Sequence, residues 1–134
     1  MQQTLVLIKD DVMRRDDNTW IRIIKIYESL GLKMVKRKIL HPMTLQQAEK
    51  LYEEHKGQYF YEPLINFMTK GMTLAFILEG EDAIQVVRKI NGNTNPAQAE
   101  EGTIRKRFGT NNRENAVHAS FDEKSSKREI SIFF

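Results

Sequence analysis

Residues 115–120, NAVHAS, set one histidine inside a short apolar run, with Ser120 two residues on and Glu129 eleven residues on. An imidazole attacks as a nucleophile only when neutral, with its proton fixed on the nitrogen that does not attack. Glu129 is a candidate carboxylate to fix that proton on His118. The remaining polar candidates are spread along the chain: Lys9 ends the first apolar run, Arg88 closes a helical pattern, and Thr94 and Arg105 fall in a long polar segment. Together they offer four donors to a phosphate chain, and arginine suits this because its planar fork bonds phosphate oxygens in pairs. Taken singly, each is more often an inert surface or core residue. Only the set suggests chemistry.

Several other chemistries are excluded. No G-x-x-x-x-G-K-[ST] loop, no G-x-G-x-x-G after a strand and no protein-kinase motif set occurs in the chain. His41, His55 and His118 have no metal-ligand spacing. The absence of cysteine removes disulfides and thiolate catalysis and favours an intracellular, cytoplasmic setting. The N-terminus lacks a basic stretch before a long apolar one, so no signal peptide is expected, and no apolar run reaches membrane-span length. The net charge of +3 suits an anionic partner such as a phosphate or a nucleic acid, although nothing requires the latter.

These residues must be positioned by a single domain spanning 1–134. Residues 4–9 read as a buried strand. Residues 18–31 carry Ile21, Ile24 and Tyr27 at helical spacing, with Asn18 or Thr19 as the cap and Gly31 as the stop. A half-exposed strand is expected over 32–40. A helix over 44–55 opens with the capping pair Thr44 and Gln47, and another covers 61–71. The clearest buried strand is 72–78, followed by a helix over 81–90 starting near Asp82. Residues 91–114 lack periodicity and read as a functional loop. Residues 115–120 read as a strand, 122–129 as a short polar helix and 130–134 as an apolar tail. The order implies an α/β (α+β) chain: a ferredoxin-like β-α-β-β-α-β sandwich, with a four-stranded antiparallel sheet, helices on its faces and extra helices.

Lys9 with Asp11, EEHKGQYF (53–60), GNTNPAQAEEGTIR (92–105), NAVHAS (115–120) and KREISIFF (127–134) resemble nucleoside diphosphate kinase, in order and over almost the whole chain. The resemblance implies transfer of the γ-phosphate of a nucleoside triphosphate to a nucleoside diphosphate through a phosphohistidine. It implies His118 as nucleophile through Nδ1, Glu129 holding the other ring nitrogen, and Ser120 holding Glu129. Tyr52 would point its hydroxyl at the moving phosphoryl group. Lys9, Arg88, Thr94 and Arg105 would bind phosphates, Lys9 and Asn115 the ribose, and Phe60 the base. Mg²⁺ would be held mainly by the nucleotide's own phosphates, with no protein metal site. A homo-oligomer is implied, tetramer or hexamer. The apolar run ISIFF agrees with this, and the lack of an extension past Phe134 leans towards a tetramer.

The chain departs from the family pattern at Asp10 (family Pro), at RRDDNTW (14–20), at Glu101 (Pro), at Lys106-Arg107 (Gly-Asp), at Asn112 (an apolar residue) and at Phe121 (Asp). Asp10 sets a carboxylate beside Lys9, and charge complementarity suggests that Arg107 pairs with Asp10 or Asp11. Asp122 is expected to take over a helix cap lost at Phe121. The alternative reading is a divergent, non-catalytic relative acting as a basic nucleic-acid-binding module.

Overall fold

Alternation within the first strand decides the architecture. Leu5 and Leu7 point to one side of it and Val6 and Ile8 to the other, and all four are fully buried. Successive strand residues face opposite sides of a sheet, so this run demands a packed layer on each face. The computed structural model describes all 134 residues and supplies both layers. Its elements run β1 (Gln2–Ile8), α1 (Asp10–Met13), α2 (Thr19–Ser29), β2 (Lys33–Leu40), α3 (Leu45–Leu51), α4 (Tyr61–Met68), β3 (Thr73–Gly80), α5 (Ala83–Asn91), α6 (Ile104–Phe108), β4 (Val117–Ala119) and α7 (Glu123–Phe133).

The sheet order is β2-β3-β1-β4, antiparallel throughout. This is the ferredoxin-like arrangement expected from the element order. On one face Val6, Ile8, Phe76 and Leu78 pack against Ile23 and Tyr27 of α2 and Ala83 and Val87 of α5. On the other, Leu5, Leu7 and Ala75 pack against Ala48 and Leu51 of α3, Ile65 and Met68 of α4 and Phe133 of α7. Each fully buried side chain of this size stabilises the fold by about 1.5–3 kcal/mol over leaving it in water. The short strand β4 lies at the sheet edge with Leu7 opposite His118. The central strand thus fixes the height of the histidine.

Four expectations about elements need correction. Residues 123–133 form one helix, α7, not a polar helix followed by a tail. Ser126, Glu129 and Phe133 fall on its buried side, while Ile130 and Ile132 are half-buried and Phe134 is exposed. The segment 91–114 holds a 3-10 turn over Pro96–Gln98 and the five-residue α6, whose cap is the Thr103 hydroxyl accepting from the Lys106 N–H at 3.3 Å. A single turn, α1, follows β1 where no helix was expected. Asn18 occupies the N-cap position of α2 in a left-handed conformation without a side-chain bond. Asp17 instead accepts from the Thr19 N–H at 3.1 Å.

Other details match. Thr44 and Gln47 form the reciprocal capping box of α3. Asp122 accepts from the Ser125 N–H at 2.7 Å and caps α7, one residue later than the family pattern. Asp10 does not match: its carboxylate, expected beside Lys9, turns away. Its Oδ1 accepts from the Met72 N–H at 2.9 Å, and its Oδ2 pairs with Arg14 at 3.2 Å. Gly71 is required there: it has φ +75°, and a Cβ at that position would run into the Asp10 carboxylate.

Candidate active site

The end of β1 and the start of β4 bring the first group together. The Lys9 N–H donates to the Ala116 carbonyl at 2.9 Å, and the Asp11 carboxylate accepts from the Ala116 N–H at 3.0 Å. Ala116 is fully buried with φ +76°, a left-handed conformation that costs a non-glycine residue about 1–3 kcal/mol. The two bonds to α1 and its leading residue hold that conformation two residues before His118.

His118 is 19% exposed, and its Nε2 lies 2.9 Å from Glu129 Oε1. Glu129 comes from the buried side of α7, which is why a residue eleven positions away reaches the ring. The buried Ser120 hydroxyl donates to the same Oε1 at 2.9 Å and accepts from the Leu5 N–H at 3.3 Å. Arg128 approaches the other carboxylate oxygen at 3.6 Å and is itself tied to the Lys50 carbonyl at 2.7 Å. Burial pushes the Glu129 carboxyl upward. Bonding and attraction from His118, the Ser120 bond and the charge of Arg128 outweigh this and hold it below its ordinary value. An ionised Glu129 can only accept, so Nε2 carries the proton and Nδ1 is left with a free lone pair.

The Tyr52 ring stands edge-on to His118 at 5.9 Å between centroids, is nearly fully buried, and leads through His55 to Phe60. Burial first, then the negative charge of Glu129, raises the Tyr52 hydroxyl well above its ordinary value, so it remains a neutral donor. Phe60 is half-buried at the outer end of this aromatic line.

Lys9 is almost fully buried. Its Nζ donates to the Arg113 carbonyl at 2.6 Å and to Asn115 Oδ1 at 2.9 Å, which leaves one proton uncommitted. Burial lowers its pKa to about 8, with Arg105 adding repulsion and Asp11 opposing. Asn115 spends its amide N–H groups on the Thr94 and Asn112 carbonyls, at 3.0 and 3.2 Å. Its position therefore anchors Lys9 and two loop segments at once. The exposed side chain of Thr94 makes no hydrogen bond in the chain.

Arg105, on α6, bonds the Gly92 and Val117 carbonyls, both at 2.8 Å. It ties the loop to the residue before His118 and keeps its Nε–H and one N–H on each η nitrogen. Arg88 is exposed on the last turn of α5, forms no ion pair, and lies over the Phe121 ring at 4.2 Å. The charges of Arg88 and Arg105 repel each other, after burial the main unfavourable influence on Arg105.

All ten expected residues thus belong to one linked region around His118, except that Arg88 joins it only through Phe121. Arg107 does not pair with Asp10 or Asp11: it is exposed and lies over the Phe108 ring at 4.8 Å, and Asp10 is already held by Met72 and Arg14. Sequence reasoning missed the roles of Asp11, Arg128 and Phe121. The only signal for Asp11 was a carboxylate two residues after Lys9, which ends the first apolar run; no pattern marks the other two. No cluster of three metal-ligating side chains is present, and the donors around His118 are cationic or neutral, a set that suits phosphates rather than a bare cation.

A family model described as nucleoside diphosphate kinase matches residues 2–134. Among curated relatives, the nucleoside diphosphate kinase of Kosmotoga olearia is 48% identical over all of this chain and 89% of its own length. That of Methanocaldococcus jannaschii is 46% identical over 99% of this chain and 93% of its own length. Among solved structures, the Aquifex aeolicus nucleoside diphosphate kinase superposes with TM-score 0.92 at 33% identity, covering 99% of this chain and 94% of that one. A halophilic nucleoside diphosphate kinase from Halobacterium salinarum in complex with CDP superposes with TM-score 0.92 at 35% identity, covering 99% and 87%.

Proposed function

The chain belongs to the nucleoside diphosphate kinase family, an enzyme family that moves the γ-phosphate of a nucleoside triphosphate onto a nucleoside diphosphate, and from that premise we propose how its own residues divide the work. His118 is the nucleophile. Its Nδ1 lone pair forms a bond to the γ-phosphorus while the bond to the β-phosphate oxygen breaks, and the diphosphate leaves with those electrons. A second diphosphate then attacks the phosphohistidine through a terminal oxygen, the N–P bond breaks, and His118 is restored. The observation that carries this reading is the 2.9 Å contact between Nε2 and an ionised Glu129, which leaves Nδ1 free.

Glu129 fixes the tautomer and offsets the positive charge that the ring gains on phosphorylation, and Ser120 holds Glu129. The protein otherwise contributes position and charge, because phosphoryl transfer needs little covalent help. Arg88, Arg105, Thr94 and the free proton of Lys9 face the phosphate oxygens in this reading, and the Tyr52 hydroxyl donates to the transferring group. The second lone pair of Asn115 Oδ1 serves the ribose, which shares the one free Lys9 proton with the phosphates. Phe60 offers its face to the base, which any base can use. Asn112 adds no apolar wall opposite. Mg²⁺ would be held mainly by the nucleotide's own phosphates, with no side chain of this chain as its ligand, and would supply charge neutralisation there. We read residues 1–134 as one such domain, working in the cytoplasm.

A homo-oligomer is part of the proposal. Its support is β2, an eight-residue edge strand that exposes Ile39 at 59% and Val35 at 37% beside unpaired backbone groups. Light scattering should give a multiple of the 15.7 kDa chain mass, and a monomer at micromolar concentration overturns it. The non-catalytic nucleic-acid-binding reading is not favoured, since a binder has no use for a histidine locked to a buried carboxylate. Steady-state kinetics test the mechanism: double-reciprocal lines at several diphosphate concentrations run parallel if a covalent intermediate divides the reaction, and intersect if transfer is direct.

A further inference from the structure

Phe121 stands where the family pattern has an aspartate, and it is 62% exposed at the rim of the site. Nothing in the core calls for an aromatic ring there. The cap of α7, which an acid at this position would have supplied, is made by Asp122. Position 121 is therefore released from capping. It is also firmly mounted: the preceding Ser120 is fully buried, its N–H donates to the Leu5 carbonyl at 3.1 Å, and its hydroxyl is fixed between Leu5 and Glu129.

The face of this ring carries Arg88. The guanidinium carbon lies 4.2 Å from the ring centroid. The guanidinium forms no ion pair; the nearby Asp122 carboxylate accepts from the Ser125 N–H at 2.7 Å and feels the charge of Arg88 without bonding to it. Stacking on an aromatic face uses the flat side of the guanidinium. Its N–H groups lie in the plane and stay free. A carboxylate at position 121 would offer no such face, and its negative charge would offset that of the guanidinium.

We propose that Phe121 is a positioning residue for nucleotide binding, stacking on Arg88 so that the guanidinium is held in one orientation with its charge and in-plane donors available to the phosphates. The inference rests on the reading of Arg88 as a phosphate ligand. A flexible, exposed arginine would otherwise lose rotamer freedom when the nucleotide binds, and the ring removes part of that loss beforehand.

The test is steady-state kinetics of the full chain with Mg·ATP and a diphosphate acceptor, on F121A, F121L, F121W, R88A and F121A/R88A. Because the ring is exposed, its loss leaves the core intact. The expected result is a two- to fivefold rise in KM for F121A, about what a cation–π contact at an exposed site supports. The change in kcat should be smaller than that in KM. F121L, apolar but without a π-face, should behave as F121A, and F121W should restore KM. R88A should raise KM more than either, and adding F121A to it should change nothing further. If F121A and F121L leave KM untouched while R88A raises it, or if the two substitutions add independently, the stacking proposal is overturned. If R88A itself leaves KM unchanged, the phosphate-ligand reading of Arg88 fails and takes the proposal with it.

Discussion

Glu129→Gln is the sharpest perturbation of the site, because it keeps shape and removes charge. Glu129 Oε1 receives both the His118 Nε2–H and the Ser120 hydroxyl at 2.9 Å, and its side chain is 5% exposed. Hydrogen bonds to a buried charge contribute about 1.5–3 kcal/mol, against about 0.5–1.5 for neutral pairs. An amide that keeps its oxygen towards His118 therefore loses roughly 1–2 kcal/mol of support for the charged phosphoimidazole, or about 5- to 30-fold in the phosphorylation rate. An amide that turns its NH₂ inward does worse, since it forces the ring proton onto Nδ1. The assay is rapid quench with γ-labelled ATP, measuring the rate of label transfer to the protein. Stability changes alongside in a defined direction. Because the folded carboxyl lies below its ordinary value of 4.5, Glu129 contributes stability that is present above that value and lost as pH falls through the folded pKa. The variant should therefore unfold with a flatter acid limb. A phosphorylation rate within twofold of the parent protein would refute the role given to the carboxylate.

Lys9 sets an alkaline limit. With a folded pKa of about 8, its charge is lost as pH rises past that value, so kcat/KM for Mg·ATP should fall from pH 7 to 9, and Lys9→Arg should flatten that fall. The same depressed pKa means that its contribution to stability is full above 10.5 and lost as pH falls through 8; a break unchanged in the arginine variant contradicts the assignment. Asp10→Ala should cost about 1–2 kcal/mol through the lost Met72 bond, and Arg107→Ala less than about 0.5 kcal/mol. A double-mutant cycle in urea should give no coupling between them, and a measurable coupling energy would restore the discarded pair. Purine and pyrimidine diphosphates should all be accepted, since Phe60 reads a π-face and no edge-reading group is in place; strict dependence on one base in a turnover assay speaks against this.

Strands β1 and β3 and helices α2, α3 and α5 were legible because each carries a full period of apolar residues, long enough to show its face. Helices α1 and α6 were not, because four or five residues hold little more than one turn, and their stability comes from tertiary bonds such as Asp10 to Met72 and Arg105 to Gly92. The tail ISIFF did not read as part of a helix because a contiguous apolar run hides its helical phase. Only with Ser126 and Glu129 counted does Phe133 fall on the same buried side. Within the site, residue types were readable and their commitments were not. Asn115 and Arg105 spend bonds on backbone carbonyls that no spacing rule reveals. The stack of Arg88 on Phe121 joins residues 33 positions apart, each ordinary alone.

The central claim is a covalent histidine intermediate at residue 118. The most direct test is to incubate the protein with γ-labelled ATP and Mg²⁺ without acceptor, then locate the label by peptide mapping under alkaline conditions. Acid-labile, base-stable label is expected on His118, removed on addition of a nucleoside diphosphate and missing from His118→Ala. Turnover retained in that variant, or label on any other residue, would contradict it.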